Sequence, residues 1–262
     1  MNIRALIIDG QNNHDWQRMT PVLREVLEQT EMFTVDVATV SEPSSFTADF
    51  SGYDVVVSNY FGADWPDATI LGLEEFVRRG GGYVVVHAGA TSFSGRASYN
   101  RMVGLAWRDE NHGDRLTLNA DGNVVRTSRG SGPGAGHGPC FAFPINHHHP
   151  DHPVLKGLPE IWMHAKDELW HGLRGPAEDM TILATAFSPL TGAREPMLWT
   201  VGFGSGRVFV TVLGHVWEGG ELTAVECVGF RHTLARGCQW AATGTVDLPV
   251  PVHFPTDGEI SL

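Results

Sequence analysis

Histidine is the residue type in this sequence with the broadest chemical use, and its thirteen copies are unevenly distributed. Eight of them fall between His112 and His171, and the densest run is the HHHPDH of residues 147–152. Neutral imidazole is both a metal ligand and a general base near neutral pH. Neighbouring side chains of a strand point to opposite faces, so at most His147 and His149 share one face. Because the sequence contains neither an HExxH motif nor a CxxC pair, metal binding and a polar loop of hydrogen-bonded histidines both remain open.

Two other histidines stand where apolar runs end. His87 follows YVVV and precedes small residues, and His215 follows the apolar run of residues 207–213. Small residues after a strand permit a tight turn that projects one side chain, as in nucleophile elbows, but here imidazole replaces serine or cysteine. We therefore predict that His87 and His215 are catalytic and that no covalent acyl-enzyme forms. The alternative for His87 is a buried histidine that closes its strand.

Polar and aromatic side chains crowd the segment that follows the first apolar run, QNNHDW at residues 11–16. We predict that Asn13, His14 and Trp16 bind substrate, with Trp16 stacking on a sugar or another ring. The alternative for His14 is capping the helix that follows.

The KDELW motif of residues 166–170 places two carboxylates beside an aromatic residue. Apolar surroundings raise the pKa of a carboxyl group, which suits it to act as an acid or a base. Adjacent residues of a strand diverge, so one of the pair is expected to face the site, and spacing alone does not say which. We take Glu168 as the catalytic residue and Asp167 as a substrate-binding residue, and a solvated surface pair is the alternative.

The elements that must position these residues alternate between strand and helix. Short apolar runs predict strands, and apolar residues at helical spacing predict amphipathic helices. Strands are predicted at residues 3–8, 33–38, 53–58, 83–86, 181–187, 196–201 and 207–213, with a hairpin turn at 202–206, and helices from Thr20-Pro21, at 68–79 and at 221–242. This order predicts an α/β fold with a doubly wound, mostly parallel sheet and helices on both faces. Ligands of such sheets bind outside the carboxyl ends of the strands, where His14, His87 and His215 are predicted to lie.

One long segment does not follow this alternation of strands and helices. Residues 128–146 are rich in glycine and proline, which predicts a long inserted loop, either ordered or partly mobile as a flap. Residues 243–262 form a proline-containing tail. We find no convincing boundary within residues 1–262 and predict one α/β domain.

Composition narrows the classes of partner. The formal net charge of −12 disfavours nucleic acid and anionic membranes. Three cysteines without metal-ligand spacing fit a reducing compartment, and the first residues lack the features of a signal peptide. We expect a cytoplasmic protein with a small-molecule partner, and a homo-oligomer is one open alternative.

Together these segments resemble the ThuA-like (trehalose utilisation) family over residues 3 to about 242. The motifs that carry the resemblance are LIIDGQNNHDW (6–16), GGGYVVVHAG (80–89), HPDHPVLKGLP (149–159), KDELW (166–170), GRVFVTVLGH (206–215) and FRHTLARGCQWAA (230–242). The resemblance implies a flavodoxin-like sheet similar to that of class I glutamine amidotransferases, without their catalytic cysteine. It also implies that His14, His87, His149, Glu168 and His215 are site residues.

The family name implies sugar catabolism, so we expect an enzyme that acts on a 3-keto-glycoside or related sugar by acid–base chemistry. In this scheme His87 or His215 is the base and Glu168 is the acid or orients the base. A divalent metal such as zinc, held by some of His14, His149 and His215, is a further option. One alternative is a non-catalytic sugar-binding or accessory protein. Another is a relative of the amidohydrolases or amidotransferases, against which the missing elbow cysteine argues.

Overall fold

The computed structural model describes residues 2–262, in which eleven strands form one sheet. The strands are β1 (Ile3–Gly10), β2 (Phe33–Thr39), β3 (Val55–Tyr60), β4 (Gly82–Val86), β5 (Arg115–Leu118), β6 (Val124–Thr127), β7 (Phe141–His147), β8 (Ile161–Asp167), β9 (Met180–Ser188), β10 (Ala193–Phe203) and β11 (Gly206–Thr211). Their order is β2-β1-β3-β4-β11-β10-β9-β7-β8, and the β5–β6 hairpin joins the sheet at β10. The helices are α1 (Trp16–Glu28), α2 (Asp67–Arg78), α3 (Ala97–Val103), α4 (Thr223–Glu226) and α5 (Val228–Thr243).

Half of the sheet is parallel and half is antiparallel. Neighbouring strands β2, β1, β3, β4 and β11 run parallel. Every residue of β3 and β4 is buried, as expected for strands covered on both faces. Beyond β11, strands β10, β9, β7 and β8 pair antiparallel. The predicted α/β class is confirmed, and the predicted turn at residues 202–206 joins β10 to β11.

Two predicted helix boundaries are wrong. Helix α1 begins at Trp16 rather than near Thr20, because the carboxylate of Asp15 accepts a hydrogen bond from the backbone N–H of Arg18 at 3.3 Å and caps the helix earlier. The helix predicted at residues 221–242 is two helices, since the backbone of Cys227 between them is extended. None of the helices in residues 2–262 has the length and apolarity that crossing a membrane requires.

The glycine-rich segment is an ordered loop only up to residue 140, and its last part is strand β7. The alternation of Phe141, Phe143 and Ile145 is typical of a strand. Arg174 anchors the loop through hydrogen bonds to its backbone. Its side chain is buried and its guanidinium donates hydrogen bonds to backbone carbonyls of the loop and its surroundings, namely those of Gly113, Ser128, Ser131 and Pro133. The structure therefore favours the ordered alternative over the mobile flap.

Candidate active site

The carboxyl ends of β1, β4, β8 and β11 meet at one edge of the sheet and border a cavity of about 320 Å³. This volume lies at the small end of the range for ligand pockets. Of the predicted residues, Asn13, His14 and Glu168 line the cavity. The rest of its wall is formed by Phe61, Ala88, Thr91, Trp107, His137, Trp170 and Trp217.

Glu168 is the centre of the site, and its residue surface is 7% exposed. One carboxylate oxygen, Oε1, lies 3.2 Å from His137 Nε2 and 3.3 Å from His215 Nε2. The other, Oε2, accepts a hydrogen bond from Trp170 Nε1 at 2.9 Å and lies 3.7 Å from His87 Nε2. Three imidazoles thus surround one carboxylate whose remaining surface faces the cavity.

His87 occupies the turn that the sequence predicts to resemble a nucleophile elbow. Its φ is +45°, which is rare for a residue with a side chain, and a 3-10 helix over His87–Thr91 follows directly. Gly89 permits this turn, because a Cβ there would lie 2.7 Å from the carbonyl oxygen of Ser58. Nδ1 of His87 donates to the carbonyl of Val212 at 2.6 Å, so in the neutral ring Nε2 is the unprotonated nitrogen. The ring is buried behind the cavity wall, and it reaches Glu168 rather than the cavity.

His14 is held by the loop after β1. Its Nδ1 lies 3.0 Å from Oδ1 of Asn12, and Asn12 Nδ2 in turn donates to the carbonyl of Asn59. The His14 ring stands edge-on to those of His87 and His215, with centroids 4.8 and 5.0 Å away. Burial and three neighbouring imidazoles lower the pKa of His14 to about 2, so the ring is neutral at physiological pH.

Asp167 does not line the cavity, which contradicts the prediction that it binds substrate. Its residue surface is 1% exposed. Oδ1 accepts from the backbone N–H groups of Glu168 and His215 at 2.7 and 3.1 Å. Oδ2 accepts from that of Gly214 and is 2.7 Å from His164 Nε2. With both oxygens occupied in this way, Asp167 positions Glu168 and His215 instead.

Two further predicted residues lie outside the cavity. Trp16 starts helix α1 and is not part of the wall, where Trp217 provides the indole instead. His149 is exposed just after β7. Because β7 runs antiparallel to β8, its carboxyl end lies at the opposite edge of the sheet, roughly 20 Å from Glu168 for strands of this length. The predicted metal set of His14, His149 and His215 is therefore wrong with respect to His149.

Two other groups in residues 2–262 bring potential ligand atoms within 4.8 Å of one another. They are His14, His87 and Glu168, and Cys140, Glu168 and His215. Imidazole, carboxylate and thiolate are all zinc ligands. The presence of Cys140 here was not predicted. Burial and the charges of two carboxylates raise the pKa of its thiol, which disfavours the thiolate that a cysteine nucleophile needs.

Comparison with known proteins places this chain in a family. The family model described as trehalose utilisation matches residues 4–241. The chain belongs to the ThuA family. A ThuA-like protein of Parabacteroides merdae is 40% identical, with a TM-score of 0.94 over 100% of this chain and 97% of that one. A comparison with curated proteins found no match.

More distant structures share the fold of this ThuA protein. A ThuA-like protein of Bacteroides uniformis is 16% identical, with a TM-score of 0.59 over 94% of this chain and 93% of that one. A cytoplasmic protein of Salmonella typhimurium is 12% identical, with a TM-score of 0.53 over 90% of this chain and 98% of that one.

Sequence reasoning missed several residues that border the site of this ThuA protein. His137 and Cys140 come from the glycine-rich segment, and Trp217 comes from the loop after β11. His137 and Cys140 follow no regular apolar run, so periodicity gave no signal for them. The available signal for His137 and Cys140 was chemical type alone, an imidazole and a thiol within a loop long enough to fold over the sheet edge.

Proposed function

We propose that this protein is an enzyme of sugar metabolism that acts on a 3-keto-glycoside or related sugar by acid–base chemistry. The observation that carries the proposal is the environment of Glu168, the one residue of the predicted catalytic set His87, Glu168 and His215 that lines the cavity. The family description, trehalose utilisation, supports a sugar as substrate. Indole walls from Trp107, Trp170 and Trp217 suit the apolar face of a sugar ring.

The chemistry follows from the ketone of such a substrate. A ketone acidifies the hydrogen on the neighbouring carbon, and the Glu168 carboxylate takes that proton. The carbanion is delocalised as an enolate, and it collapses to a carbon–carbon double bond as the glycosidic oxygen one carbon further away departs. The leaving oxygen needs a proton, and His137, which shares the cavity with Glu168, donates it. Trp170 orients Glu168 by its hydrogen bond to Oε2, and His87 and His215 lie against the carboxylate from behind the wall.

A metal-assisted version is favoured by one specific observation. His14 and His87 are each fixed through Nδ1 by a protein oxygen, as metal-ligating histidines commonly are, and this leaves Nε2 free for an ion. Nε2 of His87 is buried and has no hydrogen-bond partner among the described residues. His14, His87 and Glu168 would hold a divalent metal such as zinc, which would supply a Lewis acid for the keto oxygen. His215 would then be the remaining base.

Isotope exchange tests the proposed proton transfer directly. Purified protein is incubated with 3-keto-trehalose in D₂O, and both deuterium at the carbon beside the ketone and product formation are followed by NMR. Wild type should catalyse exchange or elimination, and Glu168→Gln should lower the rate by about 10²–10⁴-fold. Glu178→Gln, an exposed carboxylate outside the site, is the matched control. Equal rates in wild type and Glu168→Gln would exclude this mechanism.

Two measurements separate the remaining versions. Elemental analysis of protein purified without a histidine tag distinguishes the metal-assisted from the metal-free version. A divalent metal near one equivalent that falls in His14→Ala supports the former. Tryptophan fluorescence titration with the sugar detects binding without turnover, which would favour the non-catalytic sugar-binding alternative.

A further inference from the structure

A second cavity of about 670 Å³ adjoins the site and shares three wall residues with it, Phe61, Thr91 and Trp107. It is more than twice as large as the site cavity. Its other wall residues include Ser94, Arg108, Asp109, Glu110 and His112. Because these three residues line both cavities, the cavities adjoin at Trp107, and a ligand in the site cavity that extends past Trp107 enters the second chamber.

The shared wall is rigid. Arg108 is buried, and its guanidinium donates hydrogen bonds to the carbonyls of Thr91 at 2.6 Å, Ser92 at 2.8 Å and Trp107 at 3.0 Å. Its remaining donor, Nε, is buried without a partner among the described residues. The guanidinium of Arg108 therefore holds the backbone of the wall in place.

Two acidic residues, Asp109 and Glu110, also line the chamber. Asp109 is exposed and Glu110 is half-buried. One oxygen of each accepts a hydrogen bond from Asn111, from the backbone N–H to Asp109 at 2.8 Å and from Nδ2 to Glu110 at 3.2 Å. Carboxylates accept hydrogen bonds from hydroxyl groups and repel phosphate. Together with the aromatic faces of Phe61 and Trp107, they favour a neutral polyhydroxylated ring.

We propose that this second chamber is the subsite for the part of the substrate beyond the reacting ring, a neutral sugar such as the second ring of a disaccharide. This inference rests on the proposed function for the reacting ring. The site cavity holds the keto ring beside Glu168, and the glycosidic bond lies at the shared wall. Asp109 and Glu110 then bind hydroxyl groups of the leaving sugar.

Two substrates that differ only beyond the glycosidic bond test the subsite. The ratio of kcat/KM for 3-keto-trehalose to that for methyl 3-keto-α-glucoside is measured in wild type and in Glu110→Ala. Loss of a hydrogen bond to a charged group should lower this ratio about tenfold, mainly through KM of the disaccharide. Asp109→Asn, which keeps an acceptor for the N–H of Asn111, should lower it in the same direction. Glu178→Ala is the exposed control and should keep the wild-type ratio.

The outcomes of this test are distinguishable from failure of the proposed function. A wild-type enzyme that turns over both substrates, with ratios unchanged in both variants, would overturn the subsite alone. If wild type turns over neither of the two keto sugars, the proposed function fails. Calorimetric titration with trehalose and methyl α-glucoside then tests whether the second chamber binds a sugar ring. Tighter binding of trehalose that is lost in Glu110→Ala supports it, and equal binding of the two sugars overturns it. Tighter binding of trehalose 6-phosphate than of trehalose would overturn the neutral character of the chamber.

Discussion

Replacing Asp167 by asparagine should lower the free energy of unfolding by about 3–5 kcal/mol at pH 6, because it breaks a buried charge pair without removing its partner. The carboxylate meets four donors, the backbone N–H groups of Glu168, Gly214 and His215 and the imidazole of His164. Asparagine keeps one acceptor oxygen, and its NH₂ group would face two of these donors. Asp167→Asn therefore loses two hydrogen bonds and leaves their donors buried without partners.

The pH dependence of this loss can be worked out from His164, which is fully buried. Burial lowers its pKa, but hydrogen bonds with Asp167 and Cys227 and the charges of these two groups raise it to about 9. A pKa raised on folding adds stability that is fully present below about pH 6.5, the ordinary value for histidine, and is lost as the pH rises through about 9. This contribution is on the order of 3 kcal/mol. The difference between wild type and Asp167→Asn should therefore shrink above pH 9.

Urea denaturation of wild type and Asp167→Asn at pH 6 and at pH 9.5 measures both the loss in free energy of unfolding and its dependence on pH. Asp121→Asn, a substitution of an exposed aspartate, is the matched control and should change stability by less than about 0.5 kcal/mol. The double variant with His164→Gln should lose less than the sum of the single losses, since the two residues are in contact. A loss below about 1 kcal/mol for Asp167→Asn at pH 6, or a loss that does not change with pH, would refute this account.

Two further predictions concern the backbone around the site. Gly89→Ala should lower the free energy of unfolding by roughly 1–3 kcal/mol, because its Cβ would lie 2.7 Å from the carbonyl oxygen of Ser58. Thermal denaturation measures this loss, with Gly95→Ala as the control, because a Cβ at Gly95 would meet nothing within 4 Å and should leave stability nearly unchanged. Equal melting temperatures for Gly89→Ala and Gly95→Ala would contradict the clash. Arg174→Lys should speed hydrogen exchange of the backbone amides of residues 130–137, since one ammonium cannot replace a guanidinium that donates to several carbonyls. Mass spectrometry checks this against Arg24→Lys, on an exposed helix surface, and unchanged exchange in both would contradict the role of Arg174.

The parallel half of the fold was predictable because its signals are local. β3, β4 and β11 are short runs of apolar residues, and each is followed by a change to polar or small residues. The rule that ligands bind at the carboxyl ends of parallel strands then brings His87 and His215 to one edge without further information. The structure brings both imidazoles to Glu168, while their roles in catalysis stay predictions.

The other half depends on contacts between residues far apart in sequence. The direction of β7 is set by its neighbours β8 and β9, and this direction sends His149 away from the site. The loop that carries His137 is anchored by Arg174 at Pro133 and by backbone hydrogen bonds between Gly136 and His171, residues more than thirty positions apart in sequence. The hydrophobic period of a strand or a helix, 2 or 3.6 residues, contains no information on contacts between residues so far apart in sequence. The family resemblance therefore suggested a histidine, His149, that lies at the other edge of the sheet.

The elbow turn at His87 shows how one backbone geometry can be used for different chemistry. A nucleophile in such a turn must present its reactive atom to the cavity. The His87 ring is instead turned inward, with Nδ1 bound to the carbonyl of Val212 and Nε2 directed to Glu168. The strained φ of +45° thus fixes an imidazole behind a carboxylate rather than exposing a nucleophile. It follows that Glu168, and not His87, faces the cavity here, and that substitutions of His87 should act through Glu168.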